Sequence, residues 1–227
     1  MDKFQQFLLV APVLLFSMVA HEYAHGYAAL KNGDNTALML GRLTWNPVKH
    51  IDPVLTIIMP LITFFTMGFA FGGAKPVPVN PRLYRNYRRA DIIVSLAGIA
   101  TNCVLAGVLT LLVVALGLAG RALPAVATSA ALLQLMFLYG IMINLVLAAF
   151  NLMPIPPLDG SHVMKHLLPP KWAWNYAQLG KYGFLILIAM LSFGGPVLNF
   201  WMRPVQMLNE ATLRALMPYV LPSPWTS

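Results

Sequence analysis

Residues 7–30 read FLLVAPVLLFSMVAHEYAHGYAAL, an apolar run that carries His21, Glu22 and His25. About 20 apolar residues cross a bilayer as one helix, and ionisable side chains in its core are costly, so their presence there predicts a function. On a helix, His21 and His25 lie one turn apart on the same face, where both imidazoles can bind one metal ion. Glu22 is turned by about 100° and can reach a water molecule at that metal without being a ligand. The pattern predicts a zinc hydrolase within a membrane.

The composition of the chain agrees with a membrane location. Of 227 residues, 59% are hydrophobic and only 10% are charged, and the mean hydropathy is +0.70. Soluble domains are about one quarter charged, so the sequence predicts an integral membrane protein in contact with the lipid bilayer. The net charge is +8, and the basic residues flank apolar segments. This placement indicates the positive-inside tendency and argues against nucleic-acid binding.

Four apolar stretches are long enough to span a bilayer. They cover residues 7–30, 92–119, 132–152 and 182–202. A fifth stretch, 54–71, is shorter and contains Pro60. If it enters the membrane and returns, the basic loops 31–53, 72–91 and 153–181 all face one side, as the positive-inside tendency favours. We therefore expect an all-α polytopic membrane protein with about four transmembrane helices and a re-entrant or short fifth segment at 54–71.

The chain is expected to form a single membrane-embedded domain over residues 1–227, with a core at 7–165 and a C-terminal helix and tail at 182–227. Residues 204–217 place Val205, Leu208, Leu213 and Leu216 among polar side chains, which predicts an interfacial helix, with a shorter surface helix without membrane contact as the alternative. The Pro-rich tail that follows it is expected to be irregular.

Two short segments are expected to be extended near the metal, residues 36–45 and 72–81. Gly72 and Gly73 give the second segment conformational freedom, and its prolines disfavour a helix. Such a segment can pair with a peptide by strand addition.

A third metal ligand is needed, because a catalytic zinc has three protein ligands and an open position. Acidic residues are scarce, and Asp159 comes directly after an apolar helix, at the end of the sequence NLMPIPPLDG (residues 151–160). Three prolines end that helix and Gly160 permits a tight turn, so the carboxylate can be presented inside the protein. Asp159 is the best third ligand by placement, and it can meet His21 and His25 only if residues 54–71 return to the side they left.

These motifs resemble those of the site-2 protease family of intramembrane zinc metalloproteases. The family carries HExxH in one core helix and NxxPxxxxDG at the end of another, and both are complete here, at residues 21–25 and 151–160. Further stretches are similar to its compact bacterial branch, namely residues 41–44, 50–53, 73–81 and 95–98. That branch usually has a proline after the last of these, where this chain has Ile99.

The resemblance implies that His21, His25 and Asp159 bind one Zn²⁺ ion, and that Glu22 is a general base toward water and then an acid toward the leaving amine. Asn151 is a candidate donor to the oxyanion or to the substrate backbone, with a hydrogen bond at the helix C terminus as the alternative. The substrate would be a transmembrane segment of another protein, which has to unwind before its carbonyl is exposed. The implied location is the bacterial inner membrane, with the site toward the cytoplasm.

Two other functions are compatible with the same side chains. A metal transporter or metal-binding membrane protein would favour a midplane site between repeats, and this sequence has no visible repeat. An inactive relative that binds transmembrane segments would have no use for Glu22. His162 is either a polar residue at the start of a helix or a partner of the metal ligands. The sequence leaves the oligomeric state open.

Overall fold

The computed structural model of the chain describes residues 2–68, Ala70 and residues 72–222. This part of the chain is helical and contains no β-strand. In chain order, the α-helices are α1 (Lys3–Lys31), α2 (Thr36–Met39), α3 (Met59–Met67), α4 (Tyr87–Ala122), α5 (Ala127–Asn151), α6 (Asp159–Leu167), α7 (Pro170–Gln178), α8 (Gly183–Phe193) and α9 (Gly195–Leu216). By length and composition, four helical segments of the described chain can cross a membrane: Lys3–Lys31, Tyr87–Ala122, Pro124–Asn151 and Pro170–Phe193. The expected all-α polytopic fold is confirmed.

Helix α4 packs antiparallel to α1. Asn102 of α4 contacts His21. Val94, which comes earlier in α4, contacts His25, which comes later in α1. The C-terminal half of α1 therefore lies beside the N-terminal half of α4, and both histidines face that helix.

Helix α5 packs parallel to α1, because Asn144 contacts Ser17 and Gly140 packs against Val13, each one turn earlier. A Cβ atom at Gly140 would lie 2.8 Å from side-chain carbons of both Val13 and Leu109. Small residues let helices approach closely in a membrane, and this glycine does so where α1, α4 and α5 meet.

The fifth apolar segment runs along α1 toward its N terminus and then returns. At the far end, Lys3 Nζ donates to the carbonyl oxygen of Phe65 at 3.3 Å. Helix α3 ends at Gly68, whose φ of +82° lies in the left-handed region and turns the chain. On the return, the N–H of Gly73 donates to the carbonyl oxygen of Leu55 at 2.9 Å. Both ends of the segment lie on the same side, in agreement with the re-entrant interpretation.

The irregular segment 72–80 lies along the second half of α1. The N–H of Val77 donates to Glu22 Oε2 at 2.7 Å, and the N–H of Asn80 donates to Asp34 Oδ2 at 2.5 Å. Side chains, not a neighbouring strand, accept these backbone donors. The segment is therefore fixed against α1 without belonging to a sheet.

The expectation of an extended segment at residues 36–45 is wrong for its first part, because Thr36–Met39 forms the helical turn α2. The Asp34 side chain accepts hydrogen bonds from both the N–H and the hydroxyl of Thr36, at 2.9 and 2.5 Å. The carboxylate thus pairs one of the free N–H groups at the start of this helical turn, and this favours the turn.

The C-terminal region is divided differently from the expectation of a span at 182–202 and a separate helix at 204–217. The helix is interrupted at Gly194, between α8 and α9. Helix α9 then continues through Pro204 without a second interruption. Gly194 and Gly195 weaken the helix there, and Pro196 fits the first turn of the next one.

Helix α9 runs antiparallel to α5. Near its start, Trp201 Nε1 donates to the carbonyl oxygen of Ala149 at 2.8 Å, and at its end Leu216 is buried against Ile141. Beyond it, the N–H of Leu221 donates to the side chain of Gln134 at 2.9 Å. Residues 223–227 of the expected irregular tail lie outside the described part of the chain.

The re-entrant topology predicts which loops share a side of the membrane. In a Cys103→Ser background, single cysteines at Lys49, Arg85 and Leu123, all exposed positions, should react with a membrane-impermeant thiol reagent. Lys49→Cys and Arg85→Cys should be labelled from one side and Leu123→Cys from the other. Labelling of Lys49→Cys and Arg85→Cys from opposite sides would contradict the fold.

Candidate metal centre

The three predicted ligands lie together. His21 Nε2 and His25 Nε2 are 3.1 and 3.2 Å from the same oxygen, Asp159 Oδ2, and the three ligand atoms lie within 4.8 Å of one another. Ligand atoms at about 2.1 Å from one tetrahedral ion are roughly 3.4 Å apart, so these separations suit a single zinc ion. Two imidazoles and one carboxylate are also a donor set of catalytic zinc sites, and the residues therefore fit the ion.

The carboxylate of Asp159 is held in its ionised form. Burial by itself raises the pKa of this carboxyl group, but pairing with protonated His21 and His25 outweighs burial in the metal-free site, so the pKa lies below its usual range. An ionised carboxylate is the form that binds a metal.

The turn that presents Asp159 depends on Gly160. A Cβ atom at Gly160 would lie 2.2 Å from the carbonyl oxygen of Leu152, a main-chain atom that cannot move aside cheaply. Met153 and Leu158, which flank the prolines of this turn, are 1% and 7% exposed. The turn is therefore packed on both sides, and Asp159 becomes the first residue of α6.

Each imidazole also has a partner at its second ring nitrogen. His21 Nδ1 lies 2.5 Å from Asn102 Oδ1, and His25 Nδ1 lies 2.7 Å from the carbonyl oxygen of Val94. Both partners are oxygen acceptors, so each Nδ1 is the donor, and in the neutral ring that binds a metal the lone pair is on Nε2. Asn102 also donates to Asn144 at 2.8 Å, and no local sequence pattern indicates its contact with His21.

A glycine leaves room for the His21 ring. A Cβ atom at Gly98 would lie 2.5 Å from both Cε1 and Nε2 of His21. The ring is held by Asn102 on one side, so it has no free space into which it could move. Gly98 lies in one of the stretches that resemble the family, residues 95–98. The sequence alone does not indicate that this glycine packs against His21.

Glu22 lies beside the three ligands and outside the cluster that they form. Its Oε2 atom accepts the hydrogen bond from the N–H of Val77, and together with His21 it lines a cavity of about 480 Å³. The remaining wall of this cavity is mostly apolar and comes from α1, α5, α8 and α9, together with residues 70, 72–74 and 158. The arrangement can place an apolar chain beside one carboxylate and a metal.

Asn151 lines the same cavity. Its Nδ2 atom donates to the carbonyl oxygen of Leu147 at 3.0 Å, which is the alternative role as a hydrogen bond at the helix C terminus. The side chain therefore borders the space beside the ligands while one of its amide hydrogens is already used.

His162 pairs with a different carboxylate. Asp91 of α4, whose side chain is 5% exposed, contacts His162 at 3.3 Å, Lys165 at 2.8 Å and His166 at 2.7 Å. Burial lowers the pKa of Lys165, but the hydrogen bond to Asp91 outweighs it and raises the pKa above its usual value. These contacts fix α6 against the start of α4, and so they hold in place the helix that begins with Asp159.

Comparison with known proteins agrees with the geometry. The sequence profile of peptidase family M50 matches residues 9–192. YwhC of Bacillus subtilis is 37% identical over 214 residues, which is 92% of this chain and 92% of that protein. Rip2 of Mycolicibacterium smegmatis is 33% identical over 195 residues, 86% of this chain and 70% of that protein. Both relatives carry the name "Putative zinc metalloprotease". No solved structure matches the chain with significance.

The space at Gly98 can be tested by Gly98→Ala, which should raise the zinc dissociation constant roughly tenfold or more, because overpacking of this kind costs about 1–3 kcal/mol. Gly107→Ala on the same helix is the matched control, since a Cβ atom there meets nothing within 4 Å. Zinc affinity is measured by competition with a chelator. Equal affinities of the two variants would show that Gly98 is not needed for the site.

Proposed function

The chain belongs to peptidase family M50, the site-2 protease family, and is an intramembrane zinc metalloprotease; from this premise we propose which residues carry the reaction. His21, His25 and Asp159 bind one zinc ion, and Glu22 is the general base. The observation that carries this assignment is the convergence of two Nε2 atoms on one oxygen of Asp159, with Glu22 next to them but outside the cluster.

Zinc supplies Lewis-acid chemistry in such a site, since it polarises the scissile carbonyl group and makes hydroxide available at neutral pH. Glu22 takes the proton from the attacking water and passes it to the nitrogen of the leaving amine. The N–H of Val77 occupies Oε2 of Glu22, which leaves Oε1 for the proton. The segment 72–80 therefore orients the base.

Asn151 is proposed to stabilise the oxyanion of the tetrahedral intermediate. Asn151 borders the cavity beside His21 and Glu22, and one hydrogen of its amide remains after the bond to Leu147. That hydrogen is the donor that the developing negative charge requires.

The substrate is proposed to be an unwound transmembrane segment. The cavity beside Glu22 is lined by apolar side chains, among them Leu14, Met18, Met142, Phe150, Leu187 and Met202, and such walls suit the side chains of a membrane-spanning peptide. A helical peptide hides its carbonyl groups, so it has to extend before the reaction. We propose that it extends by pairing with the segment 72–80, which lies along α1 next to the metal ligands.

The metal centre is proposed to face the cytoplasm of a bacterial cell, in the inner membrane. Of fifteen Lys and Arg residues, eleven lie in the segments 31–53, 72–91 and 153–181, on the side of the metal centre: Lys31, Arg42, Lys49, Lys75, Arg82, Arg85, Arg88, Arg89, Lys165, Lys171 and Lys181. Basic residues concentrate in cytoplasmic loops, so the asymmetry supports this orientation.

Membership of the family disfavours the two alternatives. A metal transporter would have no need for a carboxylate held beside the cluster by a backbone N–H, as Glu22 is. An inactive relative would not need Glu22 either. Both alternatives differ from the protease in what they predict for a change at this residue.

Glu22→Gln should keep zinc bound and lose cleavage by about 100- to 10,000-fold, the usual contribution of a general base. Glu210→Gln is the matched control, because Glu210 is the other glutamate of the chain and its side chain is 64% exposed on α9. Purified proteins are assayed for zinc content and for cleavage of a model transmembrane substrate in liposomes. Equal cleavage by Glu22→Gln and Glu210→Gln would reject the assignment.

Val77→Pro tests whether the backbone N–H orients Glu22, because proline has no N–H and its ring carbon takes the place of the hydrogen. A hydrogen bond to a charged group contributes about 1.5–3 kcal/mol, so cleavage should fall by roughly 10- to 100-fold while zinc stays bound. Val77→Ala removes the side chain and keeps the N–H, and it should lose much less. A larger loss in Val77→Ala than in Val77→Pro would contradict this role.

A further inference from the structure

Buried polar side chains connect the three central helices in one continuous chain of hydrogen bonds that ends at a metal ligand. Ser17 of α1 is 1% exposed, and Asn144 of α5 and Asn102 of α4 are each 0% exposed. Asn144 Nδ2 lies 2.9 Å from Ser17 Oγ, Asn102 Nδ2 lies 2.8 Å from Asn144 Oδ1, and Asn102 Oδ1 lies 2.5 Å from His21 Nδ1. We call Asn102 and Asn144 the amide relay.

The direction of every bond in the amide relay follows from one fixed group. The carbonyl oxygen of Gly140 lies 2.9 Å from the Asn144 side chain, and a carbonyl can only accept, so Asn144 has to present its NH₂ group there. The oxygen of Asn144 then faces Asn102, which has to present its own NH₂ group in turn. The oxygen of Asn102 is left facing His21, and His21 Nδ1 has to be the donor.

The consequence concerns the other nitrogen of His21. A neutral imidazole carries its proton on one nitrogen, and the other nitrogen holds the lone pair. With the proton on Nδ1, the lone pair is on Nε2, which faces Asp159 Oδ2 and the position of the metal. The main chain of α5 therefore decides, through two amides on two helices, which tautomer His21 adopts.

We propose that Asn102 and Asn144 are positioning residues that fix the tautomer and ring orientation of His21 in advance, and so set the zinc affinity of the site. This proposal depends on the proposed function, in which His21 is a zinc ligand. His25 needs no such relay, because the main-chain carbonyl of Val94 accepts directly from its Nδ1 atom.

Because the amide relay is buried, reversing one of its amide groups is energetically costly. Reversal of Asn102 would place its NH₂ group against the Nδ1–H of His21 and its oxygen against the oxygen of Asn144. In a low-dielectric interior each such mismatch leaves polar groups unsatisfied at the full desolvation cost. Partners of metal-bound histidines typically change metal affinity by about 10- to 100-fold when removed, and we expect this range for Asn102.

The test compares Asn102→Leu with Asn102→Asp. Leucine removes the acceptor for His21, and the zinc dissociation constant should rise by about 10- to 100-fold. Aspartate keeps an acceptor for His21 but places an oxygen against the Asn144 oxygen, so it should bind zinc more tightly than Asn102→Leu while its unfolding temperature falls. Zinc affinity is measured by chelator competition in detergent, and thermal unfolding of each metal-free protein is recorded beside it.

Gln134→Leu is the matched control for loss of a buried amide. Gln134 lies on α5 like Asn144, is 1% exposed, and bonds to the main chain of Val113 and Tyr219, away from the metal ligands. Its loss should lower the unfolding temperature and leave zinc affinity unchanged. Wild-type affinity in Asn102→Leu, or equally weak binding in Asn102→Leu and Asn102→Asp, would overturn the proposal.

Asn144 provides a second, independent test, because it acts on His21 only through Asn102. Asn144→Leu should weaken zinc binding, and the double variant with Asn102→Leu should bind zinc no more weakly than Asn102→Leu alone. Additive losses would contradict a relay. His21→Gln separates this outcome from a failure of the proposed function: wild-type zinc binding by His21→Gln would reject the ligand assignment, whereas weak binding by it beside tight binding by Asn102→Leu would reject the relay alone.

Discussion

The pairing of buried polar groups is the constraint on which the rest of the structure depends. The side chains of the candidate metal centre lie between apolar helices, where every unpaired donor or acceptor is costly. His21 and His25 can stay there because acceptors on α4 meet their second nitrogens. Those contacts also fix how far α4 is displaced along α1, since a shift by one turn would separate both pairs at once. The same two contacts therefore fix both the register of α4 along α1 and the orientation of the two imidazoles.

The position of the metal centre near one face follows from the path of the chain between α1 and α4. The fifth apolar segment ends close to where it began, since Gly73 contacts Leu55. Helix α4 therefore begins near the C-terminal end of α1, where the histidines lie. Helix α5 then ends at the same level, and the proline-rich turn presents Asp159 to them. The same return brings residues 72–80 against α1, so the element that reverses the chain also supplies the donor that holds Glu22.

The clustering of His21, His25 and Asp159 could be predicted from sequence because each lies in a local pattern: one helical turn for the two histidines, and a helix end with prolines for Asp159. The re-entrant path could be inferred from loop charge. The contacts of Asn102, Gly98 and Val77 could not, because each joins residues more than 50 positions apart and depends on helix register. The break at Gly194 was missed since apolar residues continue on both sides of it, and the helical turn at Thr36 was missed because it depends on capping by Asp34.

The two histidines of the proposed metal centre differ in how far their supporting contacts can be lost by mutation. His25 and Glu22 are held by main-chain atoms of Val94 and Val77, and almost every codon change at those two positions preserves a carbonyl oxygen and an N–H. His21 is held by the side chain of Asn102, which a single nucleotide change can remove. Among mutations that leave His21, Glu22, His25 and Asp159 unchanged, those at Asn102 should therefore disturb this centre most readily, through the orientation of His21.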